Sequence, residues 1–307
     1  MKKILVATEK PFAPVAVEGI KKVFDKAGYE VIMLEKYTDK ADLLKSVETA
    51  DGMIIRSDQA SAEVIEAAGN LRIIVRAGAG YDNIDLDACT AKKVVAMNTP
   101  GQNSNAVAEL AFAMMLYNIR NGFNGTSGSE LRGKTIGIHA YGNVGKYVAT
   151  IAKGFGMIVH AFDPFVKKED IENDGVIAAD SVEELYKKCQ YISLHIPANE
   201  KTKKSIDYKL LSSMPKGATL VNTARKEVIC EDSLLKVFEE RTDFNYLSDL
   251  VPDCKDIVKE KFAGRYIFPA KKMGAQTSEA NINAGIAAAE QIVAFFEKGD
   301  NTFQVNR

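Results

Sequence analysis

A glycine-containing turn near the middle of the chain has the residue types that bind phosphate groups. Residues 140–145 read AYGNVG, one glycine short of the G-x-G-x-x-G pattern. In that pattern Gly142 lets the backbone approach a pyrophosphate, and Gly145 lets a helix pack closely against a strand. The helix N-terminus then presents N–H donors and a partial positive charge. A methyl group at Ala140 is tolerated if its φ angle stays negative. The turn residues expected to contact a dinucleotide are Gly142, Asn143, Val144 and Gly145.

An acidic residue follows the next predicted strand at the spacing that a dinucleotide site requires. Asp163 lies 18 residues after Gly145, close to the ~20 residues typical of the acid that binds the ribose. A carboxylate there accepts hydrogen bonds from both ribose hydroxyls and repels a 2′-phosphate, so the pattern predicts NAD rather than NADP. The alternative is a tight strand–helix turn and an ordinary turn residue before Pro164.

The elements that hold this turn are predicted from apolar runs that alternate with amphipathic stretches. Short, continuously apolar runs are typical of strands buried on both faces of a parallel sheet. In the first part of the chain they lie at residues 4–7, 31–34, 53–55, 73–75 and 94–97. After a long apolar helix at 106–119, a second series lies at 135–139, 157–162, 191–194, 219–222 and 245–247, and a last helix at 279–296. The alternation predicts a doubly wound α/β fold.

Length and composition limit the classes of protein. The 307 residues are 46% hydrophobic and 26% charged, which predicts two globular domains of roughly 150 residues each. The net charge of −1 argues against a broad nucleic-acid surface. No apolar run approaches the ~18–20 residues of a membrane span, and the N-terminus does not resemble a secretory signal. Four dispersed cysteines predict a reducing, cytoplasmic location and no metal site.

Five short segments form a pattern far more specific than the glycine turn. They are RAGAGYD at 76–82, NTPGQN at 98–103, LHIP at 194–197, NTAR at 222–225 and MGAQT at 273–277. Together they resemble the family of D-isomer-specific 2-hydroxyacid dehydrogenases, over nearly the whole chain. The resemblance implies a Rossmann-type NAD domain at residues 99–276, inserted in a flavodoxin-like substrate domain made of residues 1–98 and 277–307. It also implies a homodimer through residues 104–135. Many members of the family add a C-terminal amino-acid-sensing domain, and we expect none here because the sequence stops at Arg307, directly after the last predicted helix.

The resemblance also implies which residues carry the chemistry. Arg225 is expected to hold the carboxylate and carbonyl oxygen of the substrate, because its planar guanidinium binds two oxygens and stays protonated. Backbone N–H groups at Gly78 and Ala79 are expected to bind the substrate carboxylate. Further substrate contacts are expected at Arg56, Ser57 and Asn103. Further cofactor contacts are expected at His195, Pro197, Thr202, Thr223 and Asp249.

Two positions depart from the family pattern. Lys272 stands in place of the proton-transferring histidine, and Cys254 in place of the glutamate that orients it. An orienting carboxylate is therefore missing unless Asp253 turns inward. The absence of this carboxylate suits a lysine, because a neighbouring negative charge would raise the lysine pKa further. The nearby Arg225 and partial burial would instead favour the neutral amine that accepts a proton. We therefore predict Lys272 as the proton-transferring residue. The alternative is that Lys271 and Lys272 are an exposed basic pair in a chain that has lost its activity.

The resemblance implies NAD-dependent oxidation of D-3-phosphoglycerate to 3-phosphohydroxypyruvate, at the start of serine biosynthesis. Arg56 is the best candidate to bind the phosphate, and a second cation beside it would favour this substrate. Two alternatives stay open. One is a dehydrogenase of another D-2-hydroxy acid, and the other is a non-catalytic NAD-binding regulator on the same fold.

Overall fold

The structure is a computed structural model that describes residues 1–306, and it contains two compact α/β units. The first unit comprises Met1–Asn103 and the chain from Gln276 onward, and the second comprises Ser104–Ala275. Both sheets are parallel throughout, so the predicted fold class is confirmed. Residues 99–103, which the resemblance assigned to the cofactor domain, lie in the first unit.

The first unit is built around a five-stranded sheet. Its strands are β1 (Lys3–Thr8), β2 (Glu30–Glu35), β3 (Gly52–Ile55), β4 (Ile73–Arg76) and β5 (Val95–Asn98). Their order is β2-β1-β3-β4-β5, which is the flavodoxin-like order. Its helices are α1 (Pro14–Ala27), α2 (Lys40–Val47), α3 (Ala62–Ala67), α4 (Leu86–Ala91) and, near the end of the chain, α12 (Ser278–Lys298).

Helices α1 and α12 cover one face of this sheet, and two glycines allow their close approach. A Cβ added to Gly19 would lie 2.7 Å from Ile286, and one added to Gly285 would lie 3.1 Å from Phe12 and from Ile20. The buried cluster at this contact includes Ile4, Val6, Ile20, Phe24, Ala288 and Ile292. The core of the first unit therefore joins residues from both of its chain segments.

The second unit is built around a seven-stranded sheet. Its strands are β6 (Thr135–His139), β7 (Ile158–Phe162), β8 (Ile177–Ala178), β9 (Tyr191–Leu194), β10 (Thr219–Asn222), β11 (Asn245–Ser248) and β12 (Tyr266–Ile267). The order β12-β11-β10-β9-β6-β7-β8 is the Rossmann order with one added edge strand. Its helices are α5 (Ser104–Ile119), α6 (Asn143–Gly154), α7 (Lys168–Asn173), α8 (Val182–Lys188), α9 (Tyr208–Ser213), α10 (Glu231–Glu240) and α11 (Lys255–Lys261).

The carboxyl ends of these parallel strands bring the chemically important residues to one edge of the sheet. Strand β6 leads into the glycine turn, β7 into Asp163, β10 into Arg225 and β11 into Asp249. Ligands of open α/β sheets bind at this edge. Over residues 1–306, none of the helices combines the length and apolar character needed to cross a membrane.

Candidate cofactor and catalytic site

The turn between β6 and α6 has the space and the donors for a pyrophosphate. Gly142 is the N-cap of α6, and a Cβ added to it would enter open space among residues 1–306. At Gly145, by contrast, a Cβ would lie 2.4 Å from the carbonyl oxygen of Ala140, so only glycine fits. A phosphate group can therefore approach the N–H groups and the positive end of this 12-residue helix.

Ala140 does not meet the condition under which a methyl group is tolerated at this turn. Its φ angle is 80°, in the left-handed region where a Cβ crowds the following carbonyl. The turn therefore keeps a glycine-like conformation although alanine stands at the position of the first glycine of the pattern. The N–H of Ala140 donates to the carbonyl of Phe162 at 2.9 Å, which ties the turn to the end of β7. The dinucleotide turn thus carries backbone strain.

Asp163 points toward this turn. Its Oδ2 accepts the N–H of Tyr141 at 2.8 Å, and its Oδ1 accepts the N–H of Phe165 at 2.8 Å. The carboxylate offers about four lone-pair sites, so each oxygen keeps capacity for one more hydrogen bond. Because the side chain is only half-buried, ribose hydroxyls can reach those sites beside the turn.

Polar side chains at the carboxyl ends of β9 and β10 form a small cluster. His195 Nε2 lies 2.9 Å from Ser193 Oγ, and His195 Nδ1 lies 3.4 Å from Thr223 Oγ1. Burial, together with the neighbouring His139, lowers the pKa of His195 to about 3. Burial also lowers the pKa of His139 to about 4; its Nδ1 lies 3.3 Å from the Tyr186 hydroxyl. Both imidazoles are therefore neutral at pH 7.

The loop after β9 is closed by its own hydrogen bonds. The hydroxyl of Thr202 donates to the carbonyl of Pro197 at 2.5 Å and accepts the N–H of Asn199 at 2.8 Å. These bonds set the shape of the loop. The contact of Thr202 and Pro197 with the cofactor stays a prediction.

Arg225 lies three residues beyond β10 and is half-buried. Asn222 holds the intervening turn, because its Nδ2 donates to the carbonyl of Arg225 at 3.0 Å and its Oδ1 accepts the N–H of Ala224 at 3.0 Å. The guanidinium donates one hydrogen bond at 2.9 Å to the carbonyl of Ala224. Its remaining N–H groups, of five in all, can bind the two oxygens of a carboxylate or carbonyl ligand.

Lys272 lies in the connection between β12 and α12, where residues 270–273 are all exposed. The expected partial burial of Lys272 was therefore wrong, because this connection runs over the surface of its unit. The two residues that follow are held firmly. The carboxylate of Asp249, only 1% exposed, accepts the N–H of Met273 at 2.6 Å and that of Gly274 at 2.9 Å.

A buried thiol occupies the position of the family's glutamate. Burial, and next the charge of Glu231, raise the pKa of Cys254 to about 12. Asp253 does not turn inward, because its exposed carboxylate pairs with Lys226 at 2.6 Å. Glu231 instead accepts the N–H groups of Asp253 at 2.8 Å and of Cys254 at 2.7 Å. The Glu231 carboxylate therefore holds the backbone at the start of α11.

In the first unit, Arg56 follows β3 and is half-buried. Its guanidinium donates to the carbonyls of Lys10 and Pro11, each at 3.2 Å, and to Oδ1 of Asn281. It also lies 5.0 Å from the centre of the Phe12 ring. Arg56 therefore joins the loop after β1 to helix α12, in addition to any role toward a ligand.

Arg76, at the end of β4, is a second cation beside Arg56 and is not among the residues predicted from the sequence. Its Nε donates to the carbonyl of Arg56 at 3.0 Å. A Cβ added to Gly78 would lie 1.7 Å from Arg76 Nη1, so the guanidinium lies against the glycine loop expected to bind a carboxylate. The signal in the sequence was an arginine that ends a buried strand directly before that loop.

The other predicted substrate residues lie at the ends of elements in the first unit. Ser57 is exposed after β3, Ala79 is exposed after β4, and Asn103 is half-buried just before α5. The carbonyl of Ala79 accepts a hydrogen bond at 2.6 Å from Nδ2 of Asn98. Their contacts with a substrate stay predictions.

The strand order, the turn before α6 and the acid after β7 define the second unit as a dinucleotide-binding domain. Residues 109–261 match the family described as D-isomer specific 2-hydroxyacid dehydrogenase, NAD binding domain. The whole chain belongs to the D-isomer specific 2-hydroxyacid dehydrogenase family. The predictions of this family and of an NAD cofactor are therefore confirmed.

Relatives and solved structures agree with this assignment. The chain is 32% identical over 299 residues to hydroxypyruvate reductase of Thermotoga maritima, covering 91% of this chain and 95% of the relative. It is 34% identical over 267 residues to D-3-phosphoglycerate dehydrogenase of Methanocaldococcus jannaschii, covering 82% of this chain and 51% of the relative. The chain thus spans about half the length of that second relative. The NAD⁺-bound 3-phosphoglycerate dehydrogenase of Entamoeba histolytica superimposes with a TM-score of 0.86 at 48% identity, covering 100% of this chain and 99% of that chain.

Proposed function

We propose that this protein oxidises D-3-phosphoglycerate to 3-phosphohydroxypyruvate with NAD, as part of serine biosynthesis. The observation that carries the choice of substrate is the pair of cations Arg56 and Arg76. Arg76 Nε donates to the Arg56 carbonyl at 3.0 Å, and its guanidinium lies against Gly78. A phosphate bound next to this loop would take charge-assisted hydrogen bonds from arginines at the ends of the adjacent strands β3 and β4.

The second unit supplies the residues for the chemistry at C2 of the substrate. Arg225 holds the carboxylate and the C2 oxygen and stabilises the carbonyl as it forms. Lys272, as the neutral amine, takes the proton of the C2 hydroxyl while hydride leaves C2. NAD, when bound at the turn before α6, supplies the acceptor for that hydride. Because Lys272 is exposed, the proton it has taken can pass on to water.

Lysine is favoured over histidine as the proton-transferring group because all three histidines lie elsewhere. His139 ends β6, His160 lies within β7, and His195 follows β9. Burial lowers the pKa of each of them. None of the three occupies the segment 270–277 that takes the place of the family's histidine.

A second candidate is the reduction or oxidation of a smaller, unphosphorylated 2-hydroxy acid. It is supported by the similarity to a hydroxypyruvate reductase over 95% of that relative. Steady-state assays with NAD and either D-3-phosphoglycerate or D-glycerate distinguish the two. We expect kcat/KM to favour the phosphorylated acid, and the reverse preference would support the second candidate. Tight NAD binding without turnover of either acid would support a non-catalytic regulator.

A homodimer through residues 104–135 also forms part of the proposal. It is supported by two aromatic side chains in that segment, Tyr117 and Phe123, which are 47% and 68% exposed and contact each other with ring centres 5.3 Å apart. Exposed apolar groups of this kind mark protein interfaces. Light scattering of the wild type and of Phe123→Ser tests it, since we expect dimers to dissociate in the variant. The cytoplasmic location stays a prediction.

A further inference from the structure

We infer that Asp249 is a positioning residue that sets the place of Lys272, and that Asn222 links it to Arg225. The inference rests on the proposed function, because it gives Asp249 an effect on catalysis through the proposed proton-transferring lysine. It differs from the expectation that Asp249 contacts the cofactor. A single hydrogen-bond network would then join the backbone beside Lys272 to the backbone of Arg225, the two cationic residues proposed to act on the substrate.

The first step is the geometry of the Asp249 carboxylate. Its two oxygens each accept one backbone N–H, from Met273 at 2.6 Å and from Gly274 at 2.9 Å. Hydrogen bonds to a charged carboxylate are stronger than those between neutral groups. Since Asp249 is only 1% exposed, both oxygens face protein rather than a ligand. The carboxylate therefore fixes the backbone immediately after Lys272.

The second step is that there is no room for a side chain at Gly274, between the Asp249 carboxylate and α5. A Cβ added to Gly274 would lie 2.8 Å from Asp249 Oδ2 and 3.3 Å from Cγ2 of Val107 on α5. Gly274 is buried, whereas Lys272 and Met273 before it are exposed. The buried Gly274 therefore holds an otherwise exposed connection in place. If its hydrogen bond to Asp249 is lost, we expect the residues before it, including Lys272, to move.

The third step is the link to Arg225. The N–H of Asp249 donates to the carbonyl of Asn222 at 3.0 Å. Asn222 is fully buried, and its side chain also donates to the carbonyl of Arg225 at 3.0 Å and to the Tyr246 hydroxyl at 3.2 Å. The path from Arg225 through Asn222 and Asp249 to Gly274 is continuous. A displacement at either end is therefore resisted by the same buried polar groups.

Asp249→Asn tests the inference because it keeps the size of the side chain but removes the charge. The amide offers one acceptor oxygen, and its NH₂ group faces the second backbone N–H as a donor against a donor. We expect kcat to fall roughly 10²-fold, the scale of a misplacement of about 1 Å. The Kd for NADH, measured by fluorescence titration, should change less than about twofold. A tenfold weaker NADH affinity with unchanged kcat would overturn the inference and make Asp249 a cofactor ligand.

A double variant that combines Asp249→Asn with Lys272→Ala distinguishes an effect through Lys272 from a general loss of structure. The bond to Asn222 uses the backbone N–H of Asp249, so Asp249→Asn leaves the link to Arg225 in place. Adding Asp249→Asn to Lys272→Ala should therefore lower kcat by less than about threefold. A further loss equal to that in the wild-type background would overturn the inference. Full activity of Lys272→Ala alone would instead contradict the proposed function. The rate of tryptic cleavage after Lys271 and Lys272 gives a readout independent of activity, and it should rise in Asp249→Asn.

Gly274→Ala keeps the inference testable if Asp249→Asn folds poorly. It leaves the carboxylate intact, but its added Cβ would lie 2.8 Å from Asp249 Oδ2, so we expect the same fall in kcat with the same NADH affinity. Asp253→Asn is the matched control. It removes an exposed carboxylate four residues away that pairs with Lys226, and kcat should stay within about twofold of the wild type. If Gly274→Ala behaves like this control, the inference fails.

Discussion

The carboxylate of Asp163 accepts the backbone N–H of Tyr141 at 2.8 Å, so the acid predicted to bind the ribose and the turn predicted to bind the phosphates form one hydrogen-bonded structure. Asp163→Asn keeps an oxygen for that bond but removes the charge that repels a 2′-phosphate. We expect the ratio of kcat/KM for NAD to that for NADP to fall on the order of tenfold. Asp174→Asn, which alters an acid that contacts the Tyr141 hydroxyl, should leave the ratio unchanged. Equal use of both cofactors by the wild type would contradict the role of Asp163.

The φ angle of Ala140 predicts that Ala140→Gly stabilises the protein. A left-handed residue with a Cβ costs roughly 1–2 kcal/mol, and glycine removes that strain at the price of a more flexible unfolded chain. We expect the free energy of unfolding in urea to rise by about 0.5–1 kcal/mol. Ala113→Gly, at an exposed position inside α5, should lower it by about 1 kcal/mol. Destabilisation by both changes would show that Ala140 is unstrained.

Lys272→Ala should lower kcat about 10²–10⁴-fold, the usual contribution of a positioned base. Affinity for NADH should hardly change, because the contacts at the turn before α6 and at Asp163 are separate. In the wild type, the rate of oxidation should rise toward alkaline pH, above the range near 6.5 in which an unperturbed histidine titrates. Lys271→Ala is the control, and full inactivation of that variant alone would place the proton-transferring residue one position earlier.

Arg76→Ala should raise KM for D-3-phosphoglycerate much more than KM for D-lactate, because only the phosphorylated acid loses a charge-assisted contact. Arg56→Lys should act in the same direction, since lysine keeps the charge but not the planar fork. The arginine control is Arg72→Ala, which removes an exposed guanidinium near the rings of Phe295 and Phe296. If Arg76→Ala changes the KM values for the two acids no more than Arg72→Ala does, the phosphate is bound elsewhere.

Two histidines with lowered pKa values, His139 and His195, predict how stability depends on pH. Burial lowers the pKa of His139 to about 4 and, with the added effect of His139, that of His195 to about 3. The unfolded chain therefore binds more protons below about pH 6.5 than the folded protein does. The free energy of unfolding should fall as pH drops from 6.5 toward 4, by up to about 1.4 kcal/mol per pH unit for each histidine.

Urea unfolding at pH 7.5 and at pH 5.0 measures this fall. The fall should be smaller in His195→Gln and smaller again when His139→Gln is added. An unchanged fall in the double variant would assign the acid sensitivity to other groups.

The sequence predicted the strands most accurately where an apolar run was continuous. Strands β9 and β10 have the predicted bounds, Tyr191–Leu194 and Thr219–Asn222. Strands β8 and β12 contain two residues each, too few for a hydrophobic period, and were not predicted. These two strands pair at the edges of a sheet whose centre is already formed, so tertiary context rather than local sequence determines them.

Long-range contacts explain the parts of the site that sequence reasoning did not find. Asp249 and Gly274 are 25 residues apart, and no local pattern shows that a carboxylate at one meets an N–H at the other. Likewise, Arg76 is adjacent to Arg56 only because β3 and β4 pair in register, with Ile55 opposite Arg76. Residue types and spacing therefore predicted the kinds of groups present, and the folded backbone determines which of them touch.

The packing of α12 against α1 has a consequence for synthesis on the ribosome. The apolar face that contains Ile4, Val6 and Ile20 is completed by Ala288 and Ile292, which are translated only after the whole second unit. The second unit is contiguous, from Ser104 to Ala275, and can fold as soon as it has emerged. At about 5–20 residues per second, the open face of the first unit waits roughly 10–35 s for its last helix. The nascent chain is therefore most prone to aggregate during that interval, when holdase chaperones have an exposed sheet face to bind.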